Sequence, residues 1–242
     1  MLRGVCFDLD DTLCTFTDAE RAARLQVTQE AADHYGLPVD EVRQRYRAAN
    51  SARLSAPPFD YWVKTTQMAY TIACWAETLE PLCGERTRES AARWARRFLD
   101  VRLAALRLYE DALPVLQVIG ARFPLAVISN GPLDNQRREA EHLGLMGYFQ
   151  AHCFEAELGR GKPDPTPFRQ AAQGLGCRPD ELLHVGDSYT SDVAGARSVG
   201  AVAVWLRRES APQPPACDRE QGVWSITSLG QLPLIVAELA AS

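Results

Sequence analysis

Short apolar runs alternate with amphipathic stretches along much of the chain, and this pattern predicts its architecture. The apolar runs are typical of buried parallel strands, and they occupy residues 4–9, 124–130, 151–156, 182–187 and 201–206. Stretches with helical spacing of apolar residues fall at 111–122, 133–143, 165–176, 191–200 and 228–241. Strands that alternate with helices predict an α/β fold built on a doubly wound, Rossmann-like parallel sheet.

The segment between the first two predicted strands has only helical patterning. Residues 18–107 contain amphipathic stretches rich in Ala, Arg and Glu, which are interrupted by glycines and prolines. We therefore expect an inserted all-helical cap domain at 15–107, with a Rossmann-like core formed by 1–14 and 108–242. Residues 207–222, which are rich in Pro, Arg and Glu, are predicted to form a surface loop.

The composition limits the classes of protein to be considered. Of the 242 residues, 46% are hydrophobic and 24% are charged, and the net charge of −5 gives no indication of nucleic-acid binding. No apolar run reaches the 18 residues or so that predict a membrane-spanning helix. The seven cysteines are odd in number and show no Cys-x-x-Cys spacing, which favours free thiols in a reducing compartment. We expect a cytoplasmic monomer or homodimer without a nucleic-acid or membrane partner.

The sequence FDLDDTL, at residues 7–13, places two carboxylates where a buried strand ends. Asp8 and Asp10 are separated only by Leu9, so an extended backbone points both side chains to the same side. Two like charges at this spacing repel each other and resist desolvation. The pattern therefore predicts a cation that faces both carboxylates.

Other polar residues follow the ends of the later predicted strands, where open α/β sheets bind their ligands. They are Ser129, Asn130 and Gly131 after 124–128, Lys162 in the loop after 151–156, and Asp187 and Asp192 after 182–186. Each of them alone has an ordinary explanation as a turn, a solvated charge or a helix cap. Because parallel strands end at one edge of a sheet, we expect the whole set to converge with Asp8 and Asp10.

The types of donor in this set favour a metal-assisted phosphate site. Three aspartates without a supporting His or Cys suit a hard cation with oxygen ligands, above all Mg²⁺. A serine hydroxyl, backbone N–H groups and a lysine suit phosphate oxygens. Lys162 is one of only two lysines among 26 basic residues, as expected where a compact ammonium is required. A carboxylate nucleophile at such a site can form an aspartyl-phosphate.

Four short motifs, DLDDT, ISNG, KPDPTPF and GDSYTSD, resemble in this order the four motifs of the haloacid dehalogenase-like hydrolase superfamily. They span residues 8–192, and the helical insertion between the first two resembles the C1-type cap of that superfamily. The resemblance implies a Mg²⁺-dependent phosphatase that hydrolyses a small phosphorylated metabolite. The cap would then select the substrate, close over the site and reopen for product release.

The same resemblance implies catalytic roles for four residues, one of which is Ser129, which would hold the phosphoryl oxygens. Asp8 would attack phosphorus and become the aspartyl-phosphate. Asp10 would protonate the leaving oxygen and then activate the water that hydrolyses this intermediate. Lys162 would offset the negative charge of the nucleophile and of the phosphoryl group.

The resemblance also implies the binding residues. The residues that would bind the phosphoryl group or hold the loop beside it are Thr12, Ser129, Asn130, Gly131 and Lys162. Mg²⁺ would be held by the Asp8 side chain, the Asp10 main-chain carbonyl and Asp187. Asp192 would support this site from behind, near Lys162 or a bound water.

Several alternatives stay open at the level of sequence. Superfamily members that cleave carbon–halogen bonds lack an acid two residues after the nucleophile, so Asp10 favours phosphoester hydrolysis. Phosphoglucomutase-like members also carry this acid, and a non-catalytic relative that binds phosphate or a protein partner is a further alternative. The stretches DDTL and SNGPLDNQRREAEHLGLMGYF resemble pyrimidine 5′-nucleotidases and N-acylneuraminate-9-phosphatases. This resemblance suggests a nucleotide or a sugar/acylneuraminate phosphate as substrate.

The cap offers basic and aromatic residues that are candidates for contacting the substrate. They are Phe16, Arg45, Arg47, Arg53, Tyr61, Trp62, Lys64 and Trp75. The competing interpretation is that the arginines are solvated and that the aromatic residues form the core of the cap. The four histidines, His34, His142, His152 and His184, lie outside the motif residues with assigned roles and are predicted to be structural.

Overall fold

The computed structural model describes residues 1–54, 65–84, 87–132, 134–208, 216–218 and 222–241. The chain forms two compact units. One comprises Met1–Thr15, Leu108–Gly131 and Gln136–Ser242, and the other comprises Phe16–Arg107 and Pro132–Asn135. Among the described residues, no helix combines the length and the apolar character needed to cross a membrane.

The first unit is built on a seven-stranded sheet. Its strands are β1 Gly4–Phe7, β2 Leu125–Ser129, β3 Ala151–Phe154, β4 Leu182–Gly186, β5 Val202–Leu206, β6 Ala216–Asp218 and β7 Val223–Ile226. They lie in the order β3-β2-β1-β4-β5-β7-β6, and every pair is parallel except β6 with β7. The predicted α/β class with a doubly wound parallel sheet is confirmed.

The register of the three central strands brings their carboxyl ends level. Phe7 on β1 lies opposite Val127 on β2 and opposite Val185 on β4. The strand order reverses at β1, and open α/β sheets bind ligands at such a reversal. All residues of these three strands are buried, which explains their continuous apolar sequences.

The second unit consists of helices in its described part. Their bounds are α1 Phe16–Tyr35, α2 Val39–Leu54, α3 Gln67–Cys83 and α4 Thr87–Ala105. Tyr46, Trp75 and Phe98 are buried in its hydrophobic core, with ring centroids 5.0 Å apart for Tyr46 and Trp75. Trp75 is therefore part of the core of this unit. The candidates Tyr61, Trp62 and Lys64 lie outside the described residues.

Short helices flank the sheet. They are α5 Ala112–Gly120, α6 Gln136–His142, α7 Glu155–Leu158, α8 Pro165–Gly174, α9 Ala194–Ser198 and α10 Leu232–Ala241. In the described part of the chain, 3₁₀ turns lie at Met146–Tyr148, Pro179–Glu181 and Leu229–Gln231, and a π-helical turn lies at Tyr189–Val193. Asp164 caps α8 by accepting a hydrogen bond from Thr166 N at 2.9 Å, and Pro165 occupies the first helical position.

The structure differs from the sequence-based prediction in three places. Strand β7 was not predicted, because buried and half-buried residues do not alternate along it as they do in a strand with one buried face. Strand β6 lies within the segment predicted as a loop, and it pairs as a short edge strand. Pro132–Asn135 groups with the helical unit, where Asn135 accepts a hydrogen bond from Arg102 at 2.5 Å and Asp134 accepts one from Gln67 N at 2.6 Å.

Asp111, immediately before α5, joins several segments of the sheet unit. Its carboxylate accepts hydrogen bonds from Arg208 Nη2 at 2.9 Å, Ser228 Oγ at 2.8 Å and Leu229 N at 2.9 Å. Arg208 Nη2 also donates to the Thr12 carbonyl at 2.7 Å. Burial alone would raise the pKa of Asp111, but these hydrogen bonds outweigh it and hold the pKa below its usual value.

We expect Asp111→Asn to lower the free energy of unfolding at neutral pH by on the order of 2 kcal/mol, because asparagine offers Arg208 no charge. The folded-state pKa of Asp111 lies below that of the unfolded chain. Its contribution is therefore complete above the unfolded value of about 3.9 and is lost as the pH falls through the folded-state pKa. Urea unfolding of both proteins should show a stability difference that narrows below about pH 4. A difference independent of pH would contradict this explanation.

Candidate active site

The loop after β1 carries the first two aspartates. Asp8 N donates to Val185 O at 2.9 Å, which extends the pairing with β4 by one residue. The chain then turns at Asp11, whose φ of +55° lies in the left-handed region that aspartate tolerates better than most residues. Cys14 Sγ donates weakly to Asp10 Oδ1 at 3.8 Å and lies in the same turn. This geometry lets both Asp8 and Asp10 line one cavity.

The cavity lies in the sheet unit and has a volume of about 180 Å³. Its lining residues are Asp8, Asp10, Asp11, Ser129, Asn130, Lys162, Asp187, Ser188, Ser191 and Asp192. Of the residues proposed from the sequence for this site, all but Thr12 and Gly131 line the cavity. Parallel strand ends therefore bring residues from four separated segments together.

Lys162 forms the positive centre of the site. Its Nζ donates to Asp8 Oδ1, to Asp192 Oδ1 at 2.7 Å and to the Ile128 carbonyl at 2.9 Å. These three acceptors match the three N–H groups of an ammonium. Burial alone would lower the pKa of Lys162, but Asp192 and Asp8 outweigh burial and raise the pKa above its usual value. Lys162 is therefore charged at neutral pH.

The loop that carries Lys162 is fixed by the side chain of Asn130. Asn130 Nδ2 donates to the Lys162 carbonyl, and Lys162 N donates to Asn130 Oδ1, both at 2.7 Å. These two bonds orient the Asn130 side chain toward the Lys162 backbone, which favours the main chain of Asn130 for contacts with a ligand. Gly131 N donates to Glu155 Oε2 at 2.9 Å, so this N–H group is also engaged within the protein. The buried Glu155 was not predicted as part of this site.

Asp192 lies behind Lys162 and has hydrogen bonds at both carboxylate oxygens. Oδ1 accepts from Lys162 and lies 2.9 Å from His184 Nε2, while Oδ2 accepts from Ser188 N at 3.0 Å. Burial lowers the pKa of His184, which makes the ring neutral with Nε2–H as the donor. A Cβ atom at Gly186 would lie 2.2 Å from Asp192 Cγ, so this close packing requires glycine.

His184 therefore has a contact that the sequence analysis missed. The ring is buried on β4, and its centroid lies 5.1 Å from that of Phe168. The connection from His184 through Asp192 and Lys162 to Asp8 is continuous. The sequence contains only one indication that His184 belongs to this connection. His184 lies two residues before Gly186, so both residues face the same side of a strand that ends at the site.

Two hydroxyl groups near the carboxyl ends of the strands are buried and have no hydrogen-bond partner in the described part of the chain. They belong to Ser129 and Thr12, which are 1% and 0% exposed. Ser129 lines the cavity, and leaving such a group unpaired costs about 1–3 kcal/mol. A phosphoryl oxygen beside Ser129 would accept this hydrogen bond. The cavity therefore fits a phosphate group next to Asp8 and Lys162.

The carboxylates also suit a divalent cation. Side-chain oxygens of Asp8, Asp187 and Asp192 lie within 4.8 Å of one another. Burial raises the pKa of Asp8 to about 7. The positive charge of Lys162 opposes this rise, and the negative charges of Asp192 and Asp187 add to it. By surface area, Asp187 is exposed to solvent. Desolvation near the strand ends raises its pKa to about 6, and the negative charge of Asp192 is the second cause of this rise. A cation with oxygen ligands, such as Mg²⁺, fits this donor set and would relieve the repulsion.

Comparison with known proteins identifies the family. The family model for haloacid dehalogenase-like hydrolases matches residues 2–200, and the chain belongs to this family. It is 31% identical over 240 residues to a phosphoserine phosphatase of Thermus thermophilus, a match that covers 88% of this chain and 92% of the relative. It is 24% identical to the N-acylneuraminate-9-phosphatase of Rattus norvegicus, over 98% of this chain and 95% of the relative.

A solved structure has the same fold. The crystal structure of a 2-haloacid dehalogenase from Pseudomonas syringae pv. Tomato DC3000 is similar with a TM-score of 0.71 and 28% sequence identity. The match covers 99% of this chain and 100% of that one. The superfamily inferred from the four sequence motifs is thereby confirmed, while the roles of individual site residues stay predictions.

Proposed function

We propose that this protein is a Mg²⁺-dependent phosphatase that hydrolyses a small phosphorylated metabolite through an aspartyl-phosphate on Asp8. The observation that carries the proposal is one small cavity with three complementary groups. It contains the buried Asp8 carboxylate, the Lys162 ammonium bonded to it, and the Ser129 hydroxyl, which has no hydrogen-bond partner among the described residues. A nucleophile therefore lies beside donors that suit phosphoryl oxygens.

The first step transfers the phosphoryl group to the protein. Asp8 Oδ1 accepts from Lys162, which leaves Oδ2 to attack phosphorus while the bond to the leaving oxygen breaks. Asp10, when protonated, gives its proton to that oxygen, so the product leaves as an alcohol. Lys162 and Ser129 stabilise the charge on the phosphoryl oxygens. Mg²⁺ bound by Asp8, Asp187 and the Asp10 carbonyl would supply further positive charge.

The second step hydrolyses the aspartyl-phosphate. Asp10, which is now a carboxylate, takes a proton from water, and the resulting hydroxide attacks phosphorus. The bond between phosphorus and Asp8 breaks, inorganic phosphate leaves, and Asp8 returns as a carboxylate. Asp10 is protonated again, so both side chains end as they began. The use of one group as acid and then as base follows general acid–base chemistry.

Asp10 favours phosphoester hydrolysis over cleavage of a carbon–halogen bond. A halide leaves without a proton, whereas an alkoxide requires an acid beside it. Asp10 lines the same cavity as Asp8, which supports this role. The named activities of the two phosphatase relatives support the same class of reaction.

The substrate is proposed as a class of compound. The relatives are named for phosphoserine and for N-acylneuraminate 9-phosphate. These names support a small phosphorylated metabolite, and sugar/acylneuraminate phosphates and nucleotides are the candidates that the sequence resemblance suggested. Phosphoryl transfer between sugar phosphates and a binding role without catalysis are outcomes that the experiment must separate.

The test is release of inorganic phosphate from a panel of phosphorylated metabolites, with Mg²⁺ and with EDTA. We expect release that requires Mg²⁺ and a preference for a few members of the panel. Isomerised sugar phosphate in excess of free phosphate would indicate a mutase instead. No turnover of any compound, in a protein that binds inorganic phosphate, would favour a binding role.

A further inference from the structure

Trp205 contacts the turn that carries Asp187, although it belongs to none of the four motifs. β5 pairs with β4 up to Gly186, which lies opposite Trp205. Asp187 is the first residue beyond this ladder. The indole holds its carbonyl, because Trp205 Nε1 donates to Asp187 O at 2.9 Å.

The indole ring is itself held in place by two neighbours. The Tyr189 ring meets it edge-on, with centroids 5.1 Å apart and an interplanar angle of 75°. The Arg207 guanidinium carbon lies 5.1 Å from the ring centroid, within the range of a cation–π contact. Tyr189 belongs to the same turn as Asp187, and Arg207 follows β5. The indole therefore joins the end of β5 to the turn at two points.

The turn requires such support because of its charges. The Asp187 carboxylate lies within 4.8 Å of the Asp8 and Asp192 carboxylates, and like charges at this distance push one another apart. A bond to the Asp187 carbonyl restrains the backbone without occupying the carboxylate. Outer partners that orient a metal ligand typically change metal affinity by about 10–100-fold when they are removed.

We infer that Trp205 is a positioning residue for the divalent cation: its indole N–H fixes the Asp187 turn so that the Asp187 carboxylate stays in the cation site. The inference rests on the metal site of the proposed function. It concerns cation affinity rather than the chemical step, because Trp205 acts through Asp187.

The test compares Trp205→Phe with Trp224→Phe. Phenylalanine keeps an aromatic ring at 205 but removes the donor, and Trp224 lies on β7 opposite Val204, one strand further from the site. Binding of Mn²⁺, which takes the same oxygen ligands as Mg²⁺, is measured in the absence of substrate from the electron paramagnetic resonance signal of the free ion. We expect about tenfold weaker binding for Trp205→Phe and wild-type binding for Trp224→Phe.

A second variant keeps the test decisive if Trp205→Phe does not fold. Tyr189→Leu retains the indole donor but loosens the ring, and we expect about threefold weaker Mn²⁺ binding. Wild-type affinity in whichever variant folds would overturn the inference while leaving the metal site intact. A wild-type protein that binds no Mn²⁺ would overturn both the inference and the metal dependence of the proposed function.

Discussion

Asp8→Asn is expected to lower phosphate release by at least about 10³-fold, because the amide cannot attack phosphorus as a carboxylate does. The fold should persist, since Lys162 keeps its bonds to Asp192 and to the Ile128 carbonyl. The measurement is phosphate release at saturating Mg²⁺ and substrate, with far-ultraviolet circular dichroism as the check on folding. Activity within tenfold of the wild type would show that Asp8 is not the nucleophile.

Asp10→Asn is the matched control, because it keeps the nucleophile and removes the acid and base. With p-nitrophenyl phosphate, whose leaving group needs little help from an acid, this variant should release one equivalent of p-nitrophenol quickly. Turnover should then stall, since Asp10 is absent as the base that activates water. Asp8→Asn should show no such burst. A burst from Asp8→Asn, or equal behaviour of the two variants, would contradict the division of roles.

The convergence of the motif residues could be predicted from the sequence for a simple reason. Parallel strands end at one edge, so polar residues at the ends of β1, β2 and β4 or just after them meet there whatever the intervening chain does. Asp8, Ser129 and Asp187 needed only the correct strand boundaries to be placed in one region. Lys162 was placed there by the same argument, because its loop follows β3 at the same edge of the sheet, and the family resemblance added its catalytic role.

The contacts that support these residues could not be predicted in the same way. His184 and Trp205 lie inside apolar runs, where a histidine or tryptophan usually indicates only core packing. Their importance comes from the register of β4 with β5 and from the close packing of Asp192 against Gly186. Glu155 likewise depends on a bond to Gly131 N, 24 residues away in the chain. Such pairings depend on tertiary structure, and a single sequence does not contain a local signal for them.

Lys162→Met is expected to lower the free energy of unfolding by about 3–5 kcal/mol in EDTA, because it leaves buried carboxylates without their cation. Asp8 and Asp192, 5% and 1% exposed, both bond to the ammonium that the substitution removes. Lys162→Arg should also be poorly tolerated, since a planar guanidinium with five donors does not match three converging acceptors.

Urea unfolding gives the comparison, and Arg160→Met is the control on the same loop. Arg160 is exposed and pairs with Asp164 at 3.3 Å, so its loss should cost less than about 1 kcal/mol.

The electrostatic origin of this loss can be separated from simple loss of packing. In an Asp8→Asn background, one of the two carboxylates is already neutral, so Lys162→Met should cost at least about 1 kcal/mol less than in the wild type. Mg²⁺ should restore part of the stability of Lys162→Met, because a cation held by Asp8 and Asp187 offsets the same charges. A packing defect would be insensitive to both changes. We interpret Lys162 as the charge that allows these carboxylates to be buried together. This interpretation would be refuted if Lys162→Met lowered the free energy of unfolding equally in the two backgrounds and Mg²⁺ did not change the loss.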